Sequence, residues 1–418
     1  MKILMTGDLH MGRGSSKFAE MESQTSISCW QAIVDEAIDR SVDLVLLSGD
    51  VVDRRNCYFE SYMPLQTGIA RLANNGIMTI AVAGNHDFNV LPNLANDIDR
   101  EMFRLLGIGG EWEQFEFECG EETLGVTGWS FPEAHVDLTP LDSFPDTDNS
   151  CDYHIAMVHG DLNATVSKYA PLSLSRIDEL SQHHWLLGHV HKPGLIRTKH
   201  ERWVLYPGSP QALDPGEPHH HGVWLWEPDI QNEPVFLPMS SVCYEPLTID
   251  VSKCADAEEI LGFVIREIKN NAELTKNAAH QRMCGVNYRI EIVGECDDPG
   301  EVEEVLRAQS SLDLAFEDVQ ATVEHLRINV LPRLDKAELR VQKTVLARAF
   351  NLLESLETGN YNAAIEQLLG QIQQRCSQHA GRYHSIDAAH ELEHSEIVNI
   401  AKNQLTQIVS DLRSQPDE

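Results

Sequence analysis

Basic residues are scarce in this chain. Its 418 residues include 32 Lys and Arg against 65 Asp and Glu, which gives a formal net charge of −33. A protein that grips a phosphate backbone unaided is normally basic where it makes contact. Three explanations for the acidic balance stay open: a salt-adapted host, a partner that supplies the basic surface, or a substrate that is not a polymer.

Long apolar runs and paired cysteines are also missing. The amino terminus, MKILMTGDLH, turns polar too soon to contain the core of a signal peptide. No run approaches the roughly 20 apolar residues of a membrane span. The nine cysteines are scattered, odd in number and never spaced as CxxC, so we expect free thiols rather than disulfides or a zinc site. These absences predict a cytoplasmic protein that does not contact a membrane.

The apolar pattern divides the chain into three segments, since 418 residues are too many for one hydrophobic core. In residues 1–236, strand-like runs alternate with amphipathic helical stretches. This rhythm indicates an α/β fold with a largely parallel, buried sheet and helices on both faces. Residues 237–335 are typical of a compact β-α-β-α-β unit, and residues 336–418 are almost purely helical. The sequence therefore predicts three domains with these boundaries.

Five short blocks of metal-ligand residue types stand where apolar runs of the first segment end. The blocks are Asp8-x-His10, Gly49-Asp50, Gly84-Asn85-His86-Asp87, His159-Gly160 and Gly188-His189-x-His191. Open α/β folds place their ligands at the carboxyl ends of the strands. We therefore expect all five blocks to meet at one edge of one sheet.

The blocks contain the parts of a two-metal centre. Carboxylate oxygens and imidazole nitrogens suit Mn²⁺ or Fe²⁺, and one carboxylate must bridge ions about 3.5–4 Å apart. The ligands predicted for the first ion are Asp8, His10, Asp50 and His191. The ligands predicted for the second ion are Asp50, as the bridge, with Asn85, His159 and His189. We expect two divalent ions. Mn²⁺ is the first candidate, and Fe²⁺ and Mg²⁺ are the alternatives.

His86 is left over beside Asn85, and its imidazole is the candidate general acid that protonates a leaving oxygen. Asp53 and Asp87 are expected to cap or orient their neighbours rather than bind metal. The remaining histidine clusters, His183-His184 and the run 219–221, are interpreted as loop and surface residues.

A family resemblance rests on these same blocks. DLH, GDVVD, GNHD, HGD and GHVH resemble the motifs of the calcineurin-like metallophosphoesterase superfamily. The later stretch YPGSPQALDPGE, at 206–217, is similar to the SbcD-type DNA repair nucleases. The resemblance implies a metallophosphoesterase β-sandwich flanked by helices, the metal ligands and general acid assigned above, and DNA as the substrate.

The resemblance also implies an organisation for the rest of the chain. The segment 237–335 would be a small α/β capping domain, and the helices of 336–418 would bind an SbcC-type, SMC-like coiled-coil ATPase. A homodimer would form through helices near 56–75 and 92–106, where amphipathic stretches occur.

The predicted function is a metal-dependent DNA exonuclease or endonuclease subunit that acts with such an ATPase in DNA end processing, repair or defence. Two alternatives stay open. A general phosphoesterase that acts on small phosphodiesters would need no polymer groove, which suits the charge of −33. An assembly subunit of an ATPase complex would use its phosphoesterase site only secondarily.

Overall fold

The computed structural model describes most of the chain. The described residues are 1–16, 25–53, 59–98, 101–146, 150–164, 166–180, 183–228, 233–279, 282–308, 314–316, 319–333, 342, 344–379 and 394–413. None of the helices in these ranges combines the length and the apolar character that a membrane crossing requires.

Strands dominate the first part of the chain and helices the last. The strands are β1 (Ile3–Thr6), β2 (Leu44–Leu47), β3 (Met78–Ala81), β4 (Phe103–Leu105), β5 (Glu113–Cys119), β6 (Glu122–Trp129), β7 (Tyr153–His159), β8 (Asp161–Leu162), β9 (Pro171–Leu172), β10 (His184–Gly188), β11 (Gly194–Arg197), β12 (Trp203–Tyr206), β13 (Gly222–Trp226), β14 (Val235–Pro238), β15 (Val242–Asp250), β16 (Gly285–Cys296), β17 (Leu314–Phe316) and β18 (Val319–Pro332). The α-helices are α1 (Ser26–Asp39), α2 (Phe59–Asn74), α3 (Leu91–Asp97), α4 (Leu174–Glu179), α5 (Ala257–Ala278), α6 (Pro299–Ala308), α7 (Val345–Thr358), α8 (Ala363–His379) and α9 (His394–Arg413).

Two six-stranded sheets contain the strands that precede residue 239, except β8 and β9, which pair with each other in a two-stranded sheet. The first has the order β14-β13-β1-β2-β3-β4, and the second has the order β11-β12-β10-β7-β6-β5. In the first, β1, β2, β3 and β4 run parallel, while β13 returns antiparallel against β1. In the second, β6, β7, β10 and β12 run parallel. Each sheet therefore brings several carboxyl strand ends to one edge.

The two sheets pack face to face as a sandwich. The core between them includes Met5 and Leu46 from the first sheet and Met157 and Leu186 from the second, all fully buried. On the outer face of the first sheet, helices α1 and α2 cover residues such as Val45. The predicted α/β sandwich flanked by helices is therefore confirmed. The expectation of helices on both faces of one sheet is wrong, because the second sheet covers the inner face.

The sequence pattern explains why helix α1 forms. Its buried positions recur at helical spacing and include Trp30 and Ile33. Thr25 caps the helix, since its side chain accepts a hydrogen bond from the Ser28 N–H at 3.2 Å. The Trp30 indole N–H donates to the Pro64 carbonyl at 3.2 Å, which fixes α1 against α2.

The chain divides into two compact units. The first is formed by Met1–Leu247, Arg266–Ile290 and Ser311–Leu326, and the second by Thr248–Ile265, Glu291–Ser310 and Arg327–Glu418. A four-stranded sheet of order β15-β16-β18-β17 accompanies α5 and α6 in the sequence region predicted to be β-α-β-α-β. The domain boundaries at 236 and 335 stay predictions.

The last three helices lie in the second unit, where the sequence predicts a helical segment. They share a core that includes Leu356, Ile365 and Leu405. Gly359 ends α7 in the left-handed conformation, with φ of 71°, as its place between two helical patterns suggested. Residues 334–341, where that segment was predicted to begin, lie outside the described residues. Of the two stretches expected at a dimer interface, the one at 92–106 contributes, in its described residues, most of the seven-residue α3 and the short strand β4.

The contact between α1 and α2 predicts the effect of a single methyl group. A Cβ at Gly68 would lie 2.2 Å from the Trp30 indole nitrogen, so Gly68→Ala should push α2 off α1 and destabilise the protein by about 1–3 kcal/mol. Gly262→Ala in α5 is the control, since a Cβ there meets no described heavy atom within 4 Å. It should instead stabilise by about 0.5–1 kcal/mol. Urea unfolding followed by circular dichroism measures both, and an unshifted midpoint for Gly68→Ala would contradict this packing.

Candidate metal centre

The five blocks directly follow strands, but the strands belong to two sheets. Asp8, Asp50 and Asn85 come after β1, β2 and β3 of the first sheet, while His159 and His189 come at the ends of β7 and β10 of the second. The expectation that all blocks lie at one edge of one sheet is therefore wrong. They meet because the sandwich brings the carboxyl edges of both sheets together.

Hydrogen bonds join the two edges at the centre. Within the first sheet, the Asp8 N–H donates to the Gly49 carbonyl at 2.9 Å. Across the sheets, the His189 N–H donates to both carboxylate oxygens of Asp8 at 3.1 Å. His159 Nδ1 lies 3.1 Å from the carbonyl oxygen of Ser48. A neutral His159 that donates from Nδ1 turns its Nε2 towards the other predicted ligands.

Glycines before the ligands allow this approach. A Cβ at Gly188 would lie 2.0 Å from the Ser48 carbonyl oxygen and 2.4 Å from His159 Nδ1. A Cβ at Gly84 would lie 2.2 Å from Asp50 Oδ1. Both distances are too short for any side chain, so the spacing of the ligands depends on these two glycines.

Four of the predicted ligands have a strained backbone. Asp8, His10, Asp50 and His189 have φ values of 48°, 44°, 49° and 96°. A non-glycine residue in such a conformation costs on the order of 1–3 kcal/mol and persists only where its surroundings impose it, often at functional sites. The strained residues therefore lie at the same junction of the two sheet edges as the sequence motifs.

The side chains predicted for the first ion converge. His10 Nε2 and His191 Nε2 are 3.0 Å apart, and ligand atoms of Asp8, His10 and His191 all lie within 4.8 Å of one another. His10 Nε2 is also 4.0 Å from Asp50 Oδ2. Two imidazole nitrogens that face each other beside carboxylates form a donor set suited to a divalent cation.

The side chains predicted for the second ion meet around His159. Its Nε2 lies 3.3 Å from Asp50 Oδ2 and 3.1 Å from Asn85 Oδ1. Ligand atoms of Asp8, Asp50 and His159 form another group within 4.8 Å. The His189 ring centroid is 5.4 Å from that of His159. Asp50 reaches both sets of side chains, as the bridging role requires.

His86 lies beside this centre with one face open. Its side chain is 35% exposed, and its Nδ1 is 3.8 Å from Asp53 Oδ2. It also forms a third group of possible ligand atoms with His10 and Asp50, so its separation from the ligands stays a prediction. Burial lowers the pKa of His86, while the charge of Asp50 acts in the opposite direction.

Of the two aspartates expected to orient their neighbours, Asp87 does so. It is fully buried and accepts hydrogen bonds from the N–H groups of Gly84 at 2.7 Å and Val51 at 2.6 Å, which ties the Asn85 loop to the Asp50 loop. Asp53 Oδ2 lies 3.5 Å from His10 Nδ1, and its role in orienting that ring stays a prediction.

The charged groups of the centre shift the pKa values of their neighbours. Burial acts to raise the pKa of Asp50, but the adjacent His159 outweighs it and holds that pKa well below its usual range. Burial acts to lower the pKa of His159, but Asp50 raises that pKa to about 9. Burial, followed by the charge of Asp50, raises the pKa of Asp87 to about 7. Opposed shifts of this size are typical of functional sites.

Several other histidines are not where the sequence suggested. His183 and His184 are buried, and the His184 ring stacks on Trp203 at 4.4 Å. His221 is also buried, whereas the His219 side chain is 62% exposed. The surface interpretation is therefore wrong for His183, His184 and His221, because His184 begins the buried strand β10 and the other two directly precede β10 and β13.

Two contacts at the centre were not identified from the sequence. The Tyr169 ring packs on His189 at 4.7 Å between centroids. Glu217 Oε1 lies 2.6 Å from His191 Nδ1. Glu217 ends the YPGSPQALDPGE stretch, so the motif contained the signal, but nothing in the spacing indicated which atom it reaches.

The part of the chain that carries the predicted ligands matches a known family. The family model for calcineurin-like phosphoesterases matches residues 1–193. Residues 1–193 are therefore a calcineurin-like metallophosphoesterase domain, which belongs to a superfamily of metal-dependent phosphoester hydrolases.

Curated proteins and solved structures are both similar to this chain. YhaO of Bacillus subtilis strain 168, described as an uncharacterized metallophosphoesterase, is 24% identical over 270 residues, which are 59% of this chain and 60% of that protein. The DNA double-strand break repair protein Mre11 of Methanosarcina mazei is 29% identical over 229 residues, which are 52% of this chain and 34% of that protein. Among solved structures, a dimetal phosphatase from Danio rerio is 13% identical, covers 54% of this chain and 91% of its own, and has a TM-score of 0.36.

The close approach at Gly188 predicts a loss of metal binding. Gly188→Ala should displace His159 and the end of β10, because its Cβ would overlap Ser48 and His159. We expect Mn²⁺ affinity, measured by titration calorimetry, to fall roughly 10–100-fold. Gly194→Ala in β11 is the control, since a Cβ there meets no described heavy atom within 4 Å. Full affinity in Gly188→Ala would show that the ions bind elsewhere.

Proposed function

We propose that this chain is a metal-dependent DNA nuclease subunit of SbcD type, which hydrolyses phosphodiester bonds at DNA ends together with an SbcC-type ATPase. The observation that carries the chemistry is the convergence of Asp8, His10, Asp50, His159 and His191 at the joined edges of two sheets. The DNA substrate is supported by similarity to Mre11 proteins over about half of the chain.

The residues present fit a pair of divalent ions. Asp8, His10 and His191 would hold one, Asn85, His159 and His189 the other, and Asp50 would bridge them. When bound, such ions polarise the phosphoryl oxygens and acidify a water for attack on phosphorus. Mn²⁺ suits this mixture of carboxylate and imidazole ligands, with Fe²⁺ or Mg²⁺ as alternatives.

His86 has a different role in this proposal. Its Nδ1 faces Asp53, so its Nε2 is free to hold a proton and give it to the leaving oxygen. Asp53 would keep the ring in place, since its carboxylate lies 3.8 Å from Nδ1.

The proposed partners account for the parts beyond the phosphoesterase domain. The helices α7, α8 and α9 would bind the coiled-coil base of the ATPase, and the strands and helices before them would form the capping domain. A homodimer would form through the helices near 56–75 and 92–106. A basic surface on the ATPase would offset the net charge of −33 when DNA binds.

His86→Ala is the direct test of the mechanism. With Mn²⁺ and the ATPase present, we expect cleavage of linear DNA to fall by roughly 10²–10⁴-fold, while calorimetry still counts the same number of bound ions. His219→Ala, at an exposed histidine outside the centre, should cleave normally. Normal cleavage by His86→Ala would refute the proton donor, and loss of an ion would make His86 a ligand.

A general phosphoesterase is the second candidate, and the acidic charge favours it. It would need no contact with a long phosphate backbone and therefore no basic groove. Rapid turnover of bis-(p-nitrophenyl) phosphate, without cleavage of DNA even when the ATPase is present, would favour this candidate over the nuclease.

Deletion of residues 336–418 tests the assembly role. If these residues bind the ATPase, co-purification should be lost while turnover of the small phosphodiester persists, because the predicted ligands all precede residue 192. A complex that survives the deletion would show that the docking site lies elsewhere.

A further inference from the structure

The segment 206–217 is hydrogen-bonded to His191 and to the loop that follows His10, the two histidines of the proposed first ion. On one side, the Ser16 N–H donates to the Leu213 carbonyl at 2.8 Å, and Gln211 Nε2 donates to Ser15 Oγ at 2.9 Å. Ser15 and Ser16 belong to the loop that leaves His10. On the other side, the Ser209 N–H donates to the His191 carbonyl at 3.0 Å. One segment therefore sets the distance between His10 and His191.

Glu217 is the residue of this segment that reaches a predicted ligand ring. It is only 8% exposed, and both of its carboxylate oxygens have partners. Oε1 lies 2.6 Å from His191 Nδ1. Oε2 accepts from the Leu213 N–H at 2.8 Å and from Ser209 Oγ at 3.0 Å.

These partners fix the hydrogen-bonding roles. The Leu213 N–H can only donate, so it requires an acceptor at Oε2. The Ser209 hydroxyl also lies beside His221, whose Nδ1 is 2.7 Å from the Ser209 carbonyl oxygen and is therefore the donor in that pair. An ionised Glu217 has only acceptor oxygens, so Oε1 accepts from the Nδ1–H of His191. In the neutral ring, the lone pair on Nε2 then faces His10.

We infer that Glu217 is a positioning residue that holds His191 in the tautomer able to bind the first ion. The inference rests on the proposed metal centre but not on the choice of substrate. A metal-bound histidine commonly donates its second ring N–H to a carboxylate, which fixes the ring and raises its basicity. The YPGSPQALDPGE stretch then serves the metal centre through its final residue.

Glu217→Gln is the discriminating variant because it preserves size and shape. The Leu213 N–H would draw the amide oxygen to the Oε2 position and turn the amide NH₂ towards His191. Nδ1 would then have to accept, and the proton would move to Nε2, where it blocks binding to an ion. A purely structural role for Glu217 predicts little change in metal binding from this isosteric substitution.

The test measures Mn²⁺ binding to the full chain by titration calorimetry and by electron paramagnetic resonance. We expect the wild type to bind two ions with a spin-coupled spectrum. Glu217→Gln should keep one ion at unchanged affinity, weaken the other roughly 10–100-fold and show the six-line spectrum of isolated Mn²⁺. Glu217→Asp, which keeps the acceptor, should restore part of the affinity and the coupling.

Glu245→Gln is the matched control. Its carboxylate also lies beside a histidine, with Oε2 3.2 Å from His219 Nδ1, but that histidine is outside the centre. Two tightly bound ions in Glu217→Gln would overturn the inference, and so would equal weakening of both ions, which would indicate general loosening. A wild type that binds no Mn²⁺ would instead contradict the proposed metal centre and the inference with it.

Discussion

The centre depends on hydrogen bonds that fasten the edge of one sheet to the edge of the other. The His189 N–H donates to the Asp8 carboxylate, and His159 contacts the Ser48 carbonyl. Asp8, Ser48 and His159 are all buried, and a buried polar group left without a partner costs about 1–3 kcal/mol. The edges therefore stay together, and the strained φ angles and the missing Cβ at Gly188 are consequences of how closely they meet.

Carboxylates serve several purposes around this junction. Asp8 and Asp50 face the imidazoles, Asp87 ties two backbone loops together, and Glu217 orients a ring. Each has partners that compensate its burial. These buried groups are few beside the 65 Asp and Glu of the chain. Most of the excess negative charge therefore lies outside the centre. The carboxylates of the centre have partners of their own within it.

The sequence was most informative where the pattern is local. Helix α1 could be predicted because its apolar period and its cap lie within a few residues, and the blocks could be found because each follows an apolar run. The assignment of strands to sheets could not, because β7 and β10 are buried on both faces and look the same in either sheet. The partner of Glu217 depends on a fold that brings residues 191 and 217 together, and no periodicity records such a contact.

The sheet topology also determines when the first strand can gain both of its neighbours during synthesis of the chain. Strand β1, which leads into Asp8, lies between β2 and β13, and its Ile3 pairs with Trp226 at the end of β13. His191 meets Glu217 only after the intervening segment has formed. A ribosome-bound chain that has not yet released residue 226 therefore lacks one neighbour of its first strand. The first sheet, and with it the strand that leads into Asp8, therefore stays incomplete until more than half of the chain has left the ribosome.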